Sequence, residues 1–141
     1  MEELMFGSSI KKASYINELL EKMRFGPDIK EVMYLFDYND DWYNMGFHDN
    51  KTLEPKVDKA LSYLSYICYL RKQRIISKRE FCFFEYQINR TLMNSQTQDY
   101  LYNLYHFAQR SKASISFSPL IVYGKKAKII TDDFYDKTSY I

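Results

Sequence analysis

The densest concentration of charge in the sequence is basic: Arg71, Lys72, Arg74, Lys78 and Arg79 place five cations within nine residues. Three kinds of chemistry fit such a run. It can neutralise the negative end of a helix that closes there. It can meet an acidic protein surface, or it can hold phosphate. Lys125, Lys126 and Lys128 would enlarge the cluster if the C-terminal segment folded beside it. Nucleic-acid binding ordinarily needs a broader basic surface than this, so helix complementation and protein contact rank ahead of it.

A second cluster is acidic. Asp37, Asn39 and Asp41 match the first three ligand positions of a calcium-binding EF-hand loop, but Trp42 stands where the sharp turn needs glycine and His48 where the bidentate glutamate belongs. The pattern fails at its two most demanding positions. The better reading of Asp37, Asp40, Asp41 and Trp42 is a solvated acidic loop able to face a basic partner.

The remaining reactive residue types are sparse. His48 and His106 have no cysteine, histidine or carboxylate at zinc-ligand spacing, and His106 reads as a hydrogen-bonded structural histidine. Cys68 and Cys82 lie in helical apolar patterns and read as buried thiols. A Cys82–His106 nucleophile pair would need an exposed, activated thiol, and Cys82 stands between two phenylalanines. Glu85 has aromatic residues on either side and no second acid to work with. There is no glycine-rich phosphate loop and no nucleophile elbow. No catalytic residue, metal ligand or cofactor is therefore assigned.

The elements that would carry these residues are helical. With 141 residues, 46% of them hydrophobic, the chain suits one domain with its own core, and only four glycines and three prolines argue against a many-turned β fold. Ser9 is placed to cap a first helix to about Arg24, ended by Gly26-Pro27 with the glycine in a left-handed conformation. Asp28 caps a short helix burying Ile29, Val32, Met33 and Phe36. Residues 37–52 break the pattern and read as a compact loop or one helical turn, anchored by Trp42 and Phe47. A third helix, Leu53 to Lys72, has so wide an apolar arc that it should be central.

Ser77-Lys78-Arg79-Glu80 is a capping box opening a fourth helix, with Ile76 and Phe81 at the staple positions and Phe81, Phe84, Ile88 and Leu92 as its stripe. The link from Gln73 to Ile76 makes helices three and four antiparallel neighbours. A fifth helix follows Asn94-Ser95, with Ser95 and Gln98 at capping-box spacing. From Ser118-Pro119 a short helix through Lys128 is expected, the alternative being a hairpin around Gly124. No internal repeat is evident. The expectation is an all-α antiparallel bundle of about five helices in one domain, residues 1–130, with a polar tail over 131–141.

Charge is unevenly spread. Residues 28–58 hold eight acids and three bases, a net of −5; residues 59–98 hold two acids and seven bases, a net of +5. The molecule should thus have an acidic and a basic end, which steers partners without naming one. Aromatic residues make up 18%, including fourteen tyrosines. The helix faces carrying Tyr63, Tyr66, Tyr69 and Tyr100, Tyr102, Tyr105 read as core, and any exposed part of them as a protein-binding surface. The absence of a signal-like start and of a long apolar run predicts a cytoplasmic protein without membrane contact.

The stretches Tyr34-Leu35-Phe36-Asp37-Tyr38-Asn39-Asp40-Asp41-Trp42-Tyr43 and Asp99-Tyr100-Leu101-Tyr102-Asn103-Leu104-Tyr105-His106-Phe107 resemble small helical proteins of low-GC bacteria and their mobile elements, a group to which no activity is attached. The likeness runs from about Asp28 to Phe107. It implies a helical fold and a bacterial or mobile-element origin, and it brings no catalytic residue. Charge polarity, abundant tyrosine and the lack of a catalytic motif together favour a non-enzymatic interaction protein that regulates or inhibits a larger cellular machine through a protein partner. A nucleic-acid-binding module using residues 71–79 is the alternative, and an enzyme with an unrecognised site a weaker one.

Overall fold

The computed structural model describes residues 2–38 and 41–136, with side chains described from 9 to 38 and from 41 to 134; within that span the secondary structure is helical and no strand occurs. Helix α1 (Glu2–Phe25) starts well before Ser9, so that serine lies inside the helix and is not its cap. Helix α2 (Pro27–Tyr38) follows after one residue. Gly26 closes both ladders, its amide donating to the Lys22 carbonyl at 3.1 Å and its carbonyl accepting the Lys30 amide at 2.9 Å. A Cβ at position 26 would lie 2.6 Å from the Lys22 oxygen, so glycine is required for close approach. The left-handed ending expected of it is not used, since no glycine among the described residues has positive φ. Pro27, lacking an amide proton, opens α2 without loss, and Asp28 sits inside the first turn rather than capping it. The predicted buried face of Ile29, Val32, Met33 and Phe36 is the one observed.

Helix α3 (Leu53–Lys72) has the predicted bounds and the predicted central place, touching α2, α4, α6 and the short 3-10 turn Phe47–Asp49. Its stripe of Val57, Leu61, Leu64 and Cys68 is buried, joined by Ala60, Ile67 and Leu70. Helix α4 (Lys78–Met93) begins as its sequence dictates. The Ser77 hydroxyl accepts the Glu80 amide at 3.1 Å, and the Glu80 carboxylate accepts the Ser77 amide at 2.7 Å. Lys12 of α1 reaches the same carboxylate at 3.0 Å. Slight burial works against the charged form of Glu80, but the Ser77 amide and the Lys12 ammonium outweigh it and hold the carboxyl below its ordinary range. Ile76 and Phe81 are both buried, completing the staple. Ser77→Ala should therefore destabilise the fold by about 0.5–2 kcal/mol, a drop of roughly 2–8 °C in Tm. An unchanged thermal melt would mean that the box does not hold the helix start.

Helix α5 (Ser95–Ser111) is capped by Asn94, whose side chain accepts the Thr97 amide, and not by Ser95. Gln98 donates instead to the Leu92 carbonyl at 2.7 Å, tying the two helices at their joint. The C-terminal segment is helical, as favoured: α6 (Ser118–Lys126) packs on α3, with the Leu120 amide donating to Ser65 Oγ at 3.3 Å. The fold continues past residue 130. Helix α7 (Asp133–Asp136) is a single turn, and Phe134 is buried against Tyr102 and Tyr105, so the start of the expected polar tail belongs to the packed structure. Residues 137–141 lie outside the described residues.

Two helix ends are built alike. Arg74 (φ 61°) and Lys128 (φ 61°) adopt the left-handed conformation, and the next amide reaches back five residues, Ile75 to Leu70 and Ile129 to Gly124, each at 2.9 Å. This is the Schellman closure. In both, the following isoleucine, Ile76 or Ile130, is buried. Lys112 ends α5 with the same left-handed conformation and five-residue return, Ala113 to Ala108 at 3.0 Å, but the next residue, Ser114, is exposed.

Candidate interaction surfaces

Helices α3 and α6 lie side by side, and the C-terminal part of α3 and the length of α6 border a groove of about 300 Å³. Arg71, Lys72, Arg74 and Lys126 rim it; Pro119, Val122 and Tyr123 form an apolar floor. The C-terminal segment thus does fold beside the basic turn. Arg71 is half-buried, and its guanidinium reaches the Ile76 carbonyl at 3.5 Å, so it also helps close the turn. Lys72, Arg74 and Lys126 are exposed, and none makes an ion pair among the described residues. Lys125 pairs with Asp132 at 3.7 Å. Lys78 and Arg79 sit on the first turn of α4, exposed but not lining the groove. The five-residue run is therefore divided between two places.

The groove floor is chemically quiet. Burial pushes the Cys68 thiol up to about 12, so it stays protonated at neutral pH and is a poor nucleophile. Burial, with the neighbouring Glu85, also raises Tyr123 to about 12; its hydroxyl donates to Asn89 at 2.7 Å. Glu85 is held by this tyrosine at 3.4 Å. Part of the rim charge offsets the negative ends of α3 and α6, and the remainder faces solvent.

The acidic loop comes apart as a site. Asp37 is the penultimate residue of α2 and is tied to α4, its carboxylate accepting from Gln87 at 3.4 Å and meeting Arg90 at 3.5 Å. Trp42, expected to anchor the loop and also to face a partner, is 2% exposed, so it anchors and does not face outward. Its ring packs among Phe36, Phe47 and Tyr100, with centroids 5.4–5.9 Å away. It is a core anchor, because so large an apolar ring gains more from burial than a loop loses by folding over it. Asp41 is exposed, and Asp40 lies outside the described residues.

Behind the loop, His48 Nδ1 meets the Glu54 carboxylate at 3.0 Å, and the Tyr100 hydroxyl donates to Asp58 at 2.5 Å. Burial, with the nearby Glu54 charge, raises the Asp58 carboxyl above its ordinary range despite the tyrosine bond and the neighbouring His48. Among the described residues no group of three or more histidine, cysteine or acidic side chains is placed to hold a metal ion.

The other reactive candidates are placed separately. Cys82 is exposed, contrary to the expected burial, and its thiol donates to the Lys78 carbonyl at 3.3 Å. His106 packs at a tilt against Tyr102, ring centroids 4.3 Å apart, and its Nε2 is buried without a hydrogen-bond partner among the described residues. Tyr100 and Tyr102 are core; Tyr66 and Tyr69 are 46% and 43% exposed.

One surface has no counterpart among the sequence expectations. On α4, Phe83, Tyr86 and Met93 are 55%, 69% and 67% exposed, on the side away from the buried stripe. The signal is present in the sequence: Arg79, Phe83, Tyr86, Arg90 and Met93 recur at alternating spacings of four and three, a second stripe that the first one masks. Among the described residues no helix is long and apolar enough to cross a membrane. Comparison with models of known protein families, with curated proteins and with solved structures finds no match to this chain.

Proposed function

We propose that this protein is a non-enzymatic binding protein whose α3–α6 groove takes an acidic segment of a partner protein, and that it regulates or inhibits a larger cellular assembly in doing so. The observation that carries this reading is the gathering of Arg71, Lys72, Arg74 and Lys126 around one apolar floor. Cations around Pro119, Val122 and Tyr123 suit a segment bearing both carboxylates and an apolar anchor. A duplex backbone calls for cations spread along a longer track, whereas Lys78 and Arg79 stand apart from the groove.

The test is a tagged pull-down with mass spectrometry, with and without nuclease, using the wild type and the Lys72→Glu/Lys126→Glu variant. Both substituted positions are exposed, so the fold should persist. A partner should survive nuclease, present an acidic segment, and bind the variant at least tenfold more weakly, with the loss falling mainly on association rate. Free DNA and RNA should bind only weakly at physiological salt. Sub-micromolar nucleic-acid binding that falls steeply with salt and disappears in the variant would overturn the reading.

A further inference from the structure

The outward stripe of α4 has an apolar floor beside it. Between α4, α2 and the end of α1 lies a groove of about 290 Å³ walled by Phe83, Tyr86, Tyr34, Met23 and Met33. Tyr38, 72% exposed, extends it by stacking on Tyr34 at 6.0 Å. A helix with one buried and one exposed apolar stripe has a face left without a partner. The two stripes of α4 differ in charge as well. The buried one is flanked by the capping box; the exposed one alternates rings with Arg79 and Arg90.

The rim charge of this face is positive. Arg24 and Lys30 line the groove, and Arg79 stands at the head of the stripe. None of the three makes an ion pair among the described residues. The one acid in the groove, Asp37, is already engaged by Arg90 and Gln87. Seated against itself, a second copy would set these cations against their equals, because a two-fold interface meets its own patch. Stacked bases are disfavoured too: Lys30 lies 6.0 Å over the Tyr34 ring and Arg90 5.7 Å over Tyr86, covering ring faces that a base would need.

We infer that the outward face of α4, with Tyr34 and Tyr38 of α2, docks an acidic amphipathic helix of a partner protein. The stripe from Arg79 to Met93 spans about 21 Å of helix, four turns, and its four-three spacing is the seam geometry of paired helices. The partner's apolar side chains sit on Phe83, Tyr86 and Met93, and its flanking carboxylates meet Arg79, Arg24 and Lys30. This surface is distinct from the α3–α6 groove.

The probe is a synthetic helical peptide of three heptads with leucine at the two seam positions and glutamate at both flanks, titrated against the full chain by fluorescence anisotropy. The Glu-flanked peptide should bind at least tenfold more tightly than the same peptide with lysine flanks. Phe83→Ser/Tyr86→Ser should weaken it at least tenfold while leaving the melting temperature close to wild type, since both rings are exposed. Lys72→Glu/Lys126→Glu should leave it unchanged. Failure of the Glu-flanked peptide to bind, equal binding of both peptides, or loss in the groove variant instead of the face variant would each overturn the inference. So would a wild-type dimer in sedimentation that the face variant disperses, or single-stranded DNA binding that the same variant abolishes.

Discussion

Trp42→Ala should lower the unfolding free energy by about 3–5 kcal/mol, the usual range for deleting a buried large aromatic side chain. The ring is the hub of the loop that follows α2, touching Phe36 of that helix, Phe47 of the 3-10 turn and Tyr100 of α5. Without it these three rings face a void that its neighbours cannot fill without moving the loop. The flanking backbone would lose order as well, because the Trp42 and Tyr43 amides both donate to Gln96, at 2.7 and 2.6 Å. The indole nitrogen has no acceptor among the described residues, so the loss comes from packing and not from a broken side-chain hydrogen bond. The chain has a single tryptophan, so the variant must be followed by far-UV circular dichroism in denaturant. A loss under 1 kcal/mol would contradict the aromatic packing described.

Asn94→Ala should be nearly as damaging, at about 2–4 kcal/mol, because one side chain serves two helices. Its oxygen caps α5 through the Thr97 amide at 2.9 Å and accepts the Thr97 hydroxyl at 3.3 Å; its amide donates to the Phe36 carbonyl at the end of α2, at 3.2 Å. Losing an N-cap alone costs about 0.5–2 kcal/mol, and leaving buried polar groups unpaired adds about 1–3 kcal/mol. Asn94→Asp keeps the acceptor and loses the donor, so it should fall between wild type and alanine. Urea midpoints should shift in that order at constant m. Equal stability of the aspartate and alanine variants would show that the α2 contact, not the cap, carries the effect.

These two residues mark where local sequence signals run out. Helix α3 and the start of α4 are legible because each rests on short-range chemistry: a wide apolar arc, a serine and a glutamate three residues apart. Asn94 and Ser95 are both good caps, and choosing between them requires knowing that Phe36 has a carbonyl to satisfy 58 residues away. Trp42 is legible as an anchor of its loop, yet beside three acids it also reads as partner-facing surface, because nothing local says that Phe36 and Tyr100 converge on it with Phe47. The C-terminal segment is ambiguous for a similar reason. Ile121 and Ile130 have β-branched character, yet both are buried as parts of a helix and its closure. The basic run shows the same limit at the level of the site. Its composition is plain in the sequence, whereas its division, with Lys126 joining three of its members and Lys78 and Arg79 set apart, depends on where α6 docks.

The left-handed closure at Arg74 has a consequence for how the chain can change over time. Glycine adopts that conformation without the penalty of roughly 1–2 kcal/mol borne by a residue with a Cβ, so the position holds a readily available gain in robustness. Arg74 is also one of the four cations around the α3–α6 groove. Lys128, in the same backbone state, does not line it. Selection for heat tolerance alone would convert both, and Lys112 at the end of α5 with them, to glycine. Selection that also preserves the groove would convert Lys128 and spare Arg74, and that asymmetry between two otherwise matching helix ends is a trace that a functional groove would leave in diverging sequences.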